Sequence, residues 1–585
     1  MAERTVQRST AGRIAANHDT VSSVKDRPRG HRLARGAAIA AIFIVSSLWC
    51  LSAARRLGAS FDEPVYLQTG LSFWHGGNGN DLLLLRGTMP LPADLDGLFL
   101  RLQELIRGRP FNPVRDIPQM LPAARAATLV FWLVLLIYGW KLGETAGGPE
   151  GGLMAAAMLA AEPIMLGHAS LATTDIAVTA FVVAFTWCFV DGRNRGWKRR
   201  VAIPSLLCGL AILSKASGLV FVPLCMAATE VERLWPAIDK SDPARFRAVA
   251  RWAAFKPRLK PFCRDLCQII AIGLLITIVY CGSGWHPQWS FVAWAKSLPP
   301  DSFFSSAMVW LSEHLRVFNN AVSAMAYQFT HNMHGPPAYL LGRVKSSFWY
   351  YYPLALTIKV SIPVFVIALT AACLYKESLR NCAAAAAAAL LLFSIFMRLQ
   401  IGIRLVLPLV ALLIIASAAA LARARRHSGT GWKSRLLAAQ FALAIFWSGI
   451  AAVRVWPEGI CYTNALWGGT AHGYLYLSDS NYDWGQGIPD LEKWRQSHHQ
   501  KRIAIFYYGT DPRMWNPSFF VVRPWEFSIA NLPVLARREG FRYFAAGTTV
   551  VYGIFDFAKP LRKLKPIART PTFLIYDVNN LKPAP

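Results

Sequence analysis

Long apolar runs recur along the chain, near residues 36–54, 123–140, 151–167, 172–190, 200–228, 266–284, 353–375, 381–396, 402–421 and 435–453. A spanning helix needs roughly 20 mostly apolar residues, so the pattern predicts a polytopic α-helical membrane protein. One polar connection breaks the pattern. Loop 55–122 contains "DLDGLFLRLQELIRG", in which Leu95, Leu98, Phe99, Leu102, Leu105 and Ile106 repeat at helical spacing with charges opposite. That spacing predicts a helix lying on a membrane face. After Trp456 the long runs end. "KRIAIFYYGT", "GFRYFAAGTTVVYGIF" and "TFLIYDV" predict strands rich in β-branched and aromatic residues, with "IPDLEKWRQSHH" a helix between them. Residues 456–585 are therefore expected to form a small α/β domain.

Charge orients these elements. The chain carries a formal net charge of +29, yet only 16% of its residues are charged, against about 25% in soluble domains. The positive charge sits in alternate connections: the leader "RPRGHRLAR", "DGRNRGWKRR", the segment 230–265, "YKESLRN" and "RARRHSGTGWKSR". A nucleic-acid partner would not explain that alternation. The positive-inside rule does, and it makes these loops and the N-terminus cytoplasmic. Run 200–228 resists a single crossing, because Lys215 stands in its middle and an unpaired central Lys costs about 2.5–3.5 kcal/mol on insertion scales. Two short helices meeting at "SKASG" on the outer side satisfy both the charge rule and the lysine. The expected fold has about eleven transmembrane helices. Residues 1–35 are a disordered cytoplasmic leader, 36–455 the membrane domain, and 456–585 an external (periplasmic) domain. The run 36–54 is read as a retained anchor rather than a cleaved signal. Loops 55–122, 167–172 and 285–352 face outward, as does the small turn 397–404. Most of the ten cysteines lie in or beside apolar runs, where small apolar packing accounts for them, and no metal-ligand spacing stands out.

This topology gathers carboxylates and cations on one side: Asp62 and Glu63 after the first helix, Asp175 in "GHASLATTD", Lys215, and Arg398 and Arg404 around the outer turn. The combination suits a reaction between a hydroxyl and an anionic lipid phosphate. A carboxylate removes the proton, and cations neutralise the departing phosphate in a water-poor site. Simpler roles stand beside this one. Asp62 and Glu63 precede Pro64 and fit a helix cap, Asp175 fits another, Arg398 fits an interfacial anchor, and Lys215 fits a structural salt bridge. In "SDSNYDWGQG", Asp479, Asn481 and Asp483 offer oxygen ligands with no distal acidic partner at calcium-loop spacing; capping of the following helix by Asp483 or a nearby polar group is the better account.

Taken in order, "FDEPVY", "GHASLATTD", "GLAILSKASGL", "HGPPAYLLG" with "FWYYYPLALTIKVSIP", and "GIRLVLP" resemble the GT-C class of membrane glycosyltransferases, in its prokaryotic branch similar to protein O-mannosyltransferases (glycosyltransferase family 39). "LSDSNYDWGQGIPDLEKW" and "IAIFYYGTDP" extend the resemblance, which covers about residues 36 to 580. It implies an inverting transfer of a sugar from a polyprenyl-phosphate donor to a hydroxyl of a protein, lipid A or envelope glycan at the external face of the inner (plasma) membrane. Asp62 maps onto the base, Glu63 onto its support, Asp175 onto the second-loop acid, and Lys215 and Arg404, with Arg398, onto cations near the lipid phosphate. His331 and His334 of "HNMHGPP" match a third-loop histidine region and, with Asp479 and Asp483, are candidate acceptor or loop contacts. The chain departs from many relatives in having "GTMPLP" where they have His-Pro-Pro. No motif requires a metal or other cofactor; a divalent cation is left undetermined. A transporter or flippase of lipid-linked sugars, and a silent lipid-binding assembly protein, are the alternative classes. The absence of a convincing internal repeat weighs against the first.

Overall fold

A computed structural model of the chain describes residues 29–234 and 244–581. Of the leader expected to be disordered, residues 1–28 lie outside that range, while Arg29–Arg35 already form the first turns of helix α1 (Arg29–Ala54).

Among the described residues, six helices are long and apolar enough to cross a membrane, seven if a bent pair counts as one span. The chain is a multi-pass membrane protein. Helix α2 (Glu63–Trp74) and helix α3 (Leu91–Arg107) lie in the connection after α1. Helix α4 (Ile117–Ala161) is two helices in one, because Gly148 takes φ +70° and turns the chain back. The halves close on each other through small residues. A Cβ on Gly143 would stand 2.6 Å from the Ala155 Cβ, and one on Gly139 would stand 2.5 Å from Leu159. Helix α5 (Thr174–Gly192) follows, then α6 (Ile203–Ser214) and α7 (Gly218–Leu234). These last two break at Lys215, where the misplaced charge predicts a break. Helix α8 is Ala244–Cys281. Helices α9 (Tyr351–Lys359) and α10 (Ile362–Leu374) are bent by 105° about Val360–Ser361. Helices α11 (Cys382–Ser394), α12 (Leu407–His427) and α13 (Trp432–Val455) complete the bundle. The apolar window through α12 is 94% buried and that of α13 only 22%, so α12 is the bundle's centre and α13 faces outward.

Helix α3 is inverted relative to a helix of a soluble core. Asp94, Asp96 and Glu104 are buried, whereas Leu102, Leu105 and Ile106 are exposed. It packs on α2 by close backbone approach at Gly70 and Gly97, where a Cβ on Gly97 would sit 2.2 Å from Gly70. Its apolar side chains Leu102, Leu105 and Ile106 are thus uncovered by the rest of the chain.

Strands β1 (Ala338–Leu340) and β2 (Arg343–Lys345) form a small hairpin. Beyond α13, strands β3 (Ile503–Phe506), β4 (Phe519–Val521), β5 (Tyr543–Gly547), β6 (Ala568–Arg569) and β7 (Phe573–Asp577) form one sheet in the order β4-β3-β5-β7-β6. β3 runs parallel to β4 and β5, and β7 antiparallel to β5 and β6. Helix α14 (Ile488–Ser497) covers the face of Ile503, Ile505 and Ile575, and α15 (Leu532–Glu539) covers that of Phe506, Phe544 and Tyr576. Burial on both faces explains why β3 and β7 read as unbroken apolar runs.

Candidate functional site

Asp62 occupies the position before α2, but its side chain makes no capping bond. Glu63 bonds ahead of the helix, its Oε2 accepting from the Ser60 amide at 2.7 Å. The Asp62 Oδ2 accepts instead from Arg404 Nη1 at 3.1 Å. The same Nη1 lies 3.9 Å from Asp175 Oδ2, and Asp175 Oδ1 accepts from Lys215 Nζ at 2.6 Å. Four charges of alternating sign, Lys215, Asp175, Arg404 and Asp62, thus form one continuous row. They come from the break between α6 and α7, the first turn of α5, the turn before α12, and the loop after α1. Asp175 caps nothing and is wholly buried, while the Asp62 side chain is 25% exposed.

The row borders a cavity of about 220 Å³ lined by Asp62, Tyr66, Arg86, Lys215, His331 and Arg404, among others. Arg86 makes no ion pair among the described residues. Counting Asp62 and the Asp175 behind it against the three cations leaves the site with an excess of one positive charge. A second cavity of about 180 Å³ adjoins it, sharing Lys215, Gln328, Leu399 and Leu405 and lined by Val220, Phe221, Met325, Phe329, Phe393 and Met397. A charged chamber and an apolar groove therefore lie side by side, with Lys215 in the wall of both.

The remaining expected site residues fare differently. Glu63 is fully buried. Its Oε1 accepts from Arg125 Nε and the Ala172 amide, and its Oε2 from Arg125 Nη2 and Ser60. Arg125 also donates to the carbonyls of Ala54, Leu57 and Gly58. Glu63 therefore has no face toward the cavity; it holds the loop that carries Asp62. His331 lines the cavity, and burial lowers its ring pKa from the ordinary histidine value. His334 and Arg398 are exposed and outside the lining. Asp479 and Asp483 also lie outside it, enclosed by protein. Asp479 accepts from the Tyr508 hydroxyl at 3.1 Å and the Ser480 amide. Asp483 accepts from the Thr549 and Gly485 amides and does not cap α14, whose first turn has no side-chain cap. The capping expectation fails because Asp483 turns toward the strand-β5 side of the sheet instead.

Sequence reasoning missed Arg86, Arg125, Ser480 and Trp484. Arg404 Nε donates to Ser480 Oγ at 3.0 Å, and the guanidinium lies 4.1 Å from the centroid of the buried Trp484 ring. Only a lone basic residue in "LLLLRGT" hinted at Arg86; Ser480 and Trp484 lie inside the singled-out "SDSNYDWGQG" with no sign of an arginine partner, and nothing local marks Arg125. Among the described residues no group of three or more His, Cys, Asp or Glu could hold a metal ion.

Residues 119–237 match the family model described as dolichyl-phosphate-mannose-protein mannosyltransferase. The stretch includes Asp175 and Lys215 and excludes Asp62 and Arg404. The match bears out the resemblance to GT-C membrane glycosyltransferases drawn from the motifs. Among solved structures the chain is similar to the oligosaccharyltransferase of Archaeoglobus fulgidus in its apo form, with 12% identity, 90% of this chain and 72% of that one covered, and a TM-score of 0.42. It is similar too to ArnT from Cupriavidus metallidurans bound to undecaprenyl phosphate, with 11% identity, 94% and 98% covered, and a TM-score of 0.29. At such TM-scores neither likeness assigns a role to a residue. No curated protein matches the chain.

Proposed function

We propose that this chain is an inverting membrane glycosyltransferase that moves a sugar from a polyprenyl-phosphate donor to the hydroxyl of an external acceptor. The observation that carries this reading is the charged cavity bordered by Asp62, Lys215 and Arg404, which shares Lys215 with a neighbouring apolar groove. The family match supports the donor class, since its description names a lipid-phosphate sugar. The lipid tail occupies the groove of Phe221, Phe329 and Phe393, and the phosphate meets Lys215, Arg404 and Arg86. The site's excess of one positive charge suits a phosphodiester monoanion.

The acceptor hydroxyl gives its proton to Asp62 as its oxygen attacks the anomeric carbon opposite the phosphate. The bond between that carbon and the phosphate oxygen breaks, and polyprenyl phosphate leaves with one more negative charge. The three cations stabilise that added charge as it forms, an effect amplified where water is scarce. Asp175 touches no substrate; it orients Lys215 and Arg404. The acceptor is a protein, lipid A or an envelope glycan. In this reading the chain makes about eleven crossings, with the cavity and the sheet of β3–β7 outside and the N-terminus cytoplasmic.

The purified full chain in lipid nanodiscs, given polyprenyl-phosphate mannose or a polyprenyl-phosphate pentose with Ser/Thr peptide, lipid A or envelope glycan, is expected to release polyprenyl phosphate. Asp62→Asn should slow release by about 10²–10⁴-fold, the worth of a general base. A variant rate within a few fold of wild type would remove Asp62 from the mechanism. No release with any acceptor would overturn the glycosyl-transfer reading.

A further inference from the structure

The connection after α13 reaches back onto both halves of the charge row. In the loop that carries Asp62, the Gly58 amide donates to the Gln486 carbonyl at 2.8 Å, and the Phe61 amide to the Trp484 carbonyl at 2.8 Å. The Ala59 amide donates to Asp511 Oδ2 at 2.8 Å, and Thr510 Oγ1 donates to the Phe61 carbonyl at 2.7 Å. Asp511 is itself gripped by Arg513. The fit leaves no slack, for a Cβ on Gly58 would stand 2.6 Å from the Gln486 carbonyl oxygen.

The same connection grips the turn that carries Arg404. Ser480 Oγ accepts from Arg404 Nε and donates to the Ile401 carbonyl at 2.7 Å. Asn481 Oδ1 accepts from the Ile403 amide at 2.9 Å. Between them, Gly402 admits Ser480, whose Oγ would lie 2.2 Å from any Cβ placed there. Trp484 supplies both the carbonyl that holds Phe61 and the ring under the Arg404 guanidinium. The connection is fixed from behind, where Lys359 Nζ donates to the carbonyls of Ile460, Tyr462 and Asn481.

We infer that Ser478–Gln486, with Asp511, is a bracket built into the reaction centre that sets the spacing of Asp62 and Arg404, with Ser480 and Trp484 as positioning residues for the Arg404 guanidinium. This rests on the reading of those two charges as base and phosphate cation. The portion beyond α13 is then neither an accessory nor an acceptor-recognition module alone. It orients the cation that pairs with the base, while the cavity itself is lined by residues that precede it in the chain.

Steady-state kinetics and peptide-level hydrogen exchange of the full chain in nanodiscs test this. Ser480→Ala and Trp484→Leu should lower kcat by about tenfold to a hundredfold, as small misplacements of a reacting group do, with the donor KM changed by less than about threefold. Trp484→Phe, which keeps an aromatic face under the guanidinium, should retain most of the rate. Ser480→Ala should speed amide exchange in 401–404 and Asp511→Ala in 58–61, with little change in the thermal midpoint. The bracket is wrong if Ser480→Ala turns over within twofold of wild type. It is also wrong if the losses track a falling midpoint and Trp484→Phe is no better than Trp484→Leu. If wild-type protein releases no polyprenyl phosphate, the glycosyl-transfer reading fails by itself. Faster exchange in both loops would then still uphold the bracket, and unchanged exchange would overturn it.

Discussion

Asp62 and Glu63 are neighbours in sequence and opposites in environment. Glu63 is sealed against Arg125 and spends both oxygens on structure, while Asp62 makes no capping bond and reaches the cavity. The chemistry proposed for the pair therefore falls on one residue. A second contrast lies beyond α13, where carboxylates are buried without a cation of their own. Burial pushes the Glu458 carboxyl up to about 8, that of Asp483 up to about 7 and that of Asp479 up to about 6. The folded chain keeps these protons at pH values where the unfolded chain has lost them. Their contribution to stability is thus complete below the ordinary carboxylate range and lost as pH rises toward 8. Thermal midpoints should fall between pH 5 and 8, a window set by those raised values. Glu458→Gln, which keeps the contact with Gln486, should flatten the upper part of that decline. A wild-type midpoint that rises through this range would contradict the assignment.

Between elements, polar contacts do the joining that apolar helix faces cannot specify. Arg125, in the first turns of α4, ties together the end of α1, the loop after it, and the start of α2 through Glu63. Removing one partner of a fully buried pair costs about 3–5 kcal/mol, because it leaves the other charge uncompensated. Arg125→Met should lower the stability of the purified protein by that amount, and adding Glu63→Gln should recover part of it. A loss of under about 1 kcal/mol in thermal or denaturant unfolding would place the pair in water-like surroundings. The break between α6 and α7 follows the same logic. Lys215 stands where two helices end because its ammonium needs Asp175, and a continuous apolar helix offers no such partner.

Across the whole molecule, the membrane topology remains the largest open expectation, and it has a direct test. A reporter fused after residue 245 should read cytoplasmic; an external signal would overturn the pairing of α6 and α7 as two crossings. The broad outline was legible in the chain because it depends on properties each segment carries alone. Apolar length marked the spanning helices, helical spacing in 91–107 marked α3, apolar and aromatic runs marked β3, β5 and β7, and a misplaced charge marked the break at Lys215, but the β-branched Thr548–Val551, expected to continue β5, forms a helical turn instead. Ordered motifs also singled out Asp62, Asp175, Lys215 and Arg404, which the fold brings into one row. What the sequence could not disclose were relations between distant segments. Ser480 and Trp484 lie more than seventy positions from Arg404 in Ser480's case and eighty in Trp484's, and neither residue type announces a guanidinium partner. Glu63 and Asp62 look alike on paper, since exposure alone separates a structural carboxylate from a reactive one. Tertiary structure decided these matters because a side chain's role is set by which charges and walls surround it, and those arrive from elsewhere in the chain.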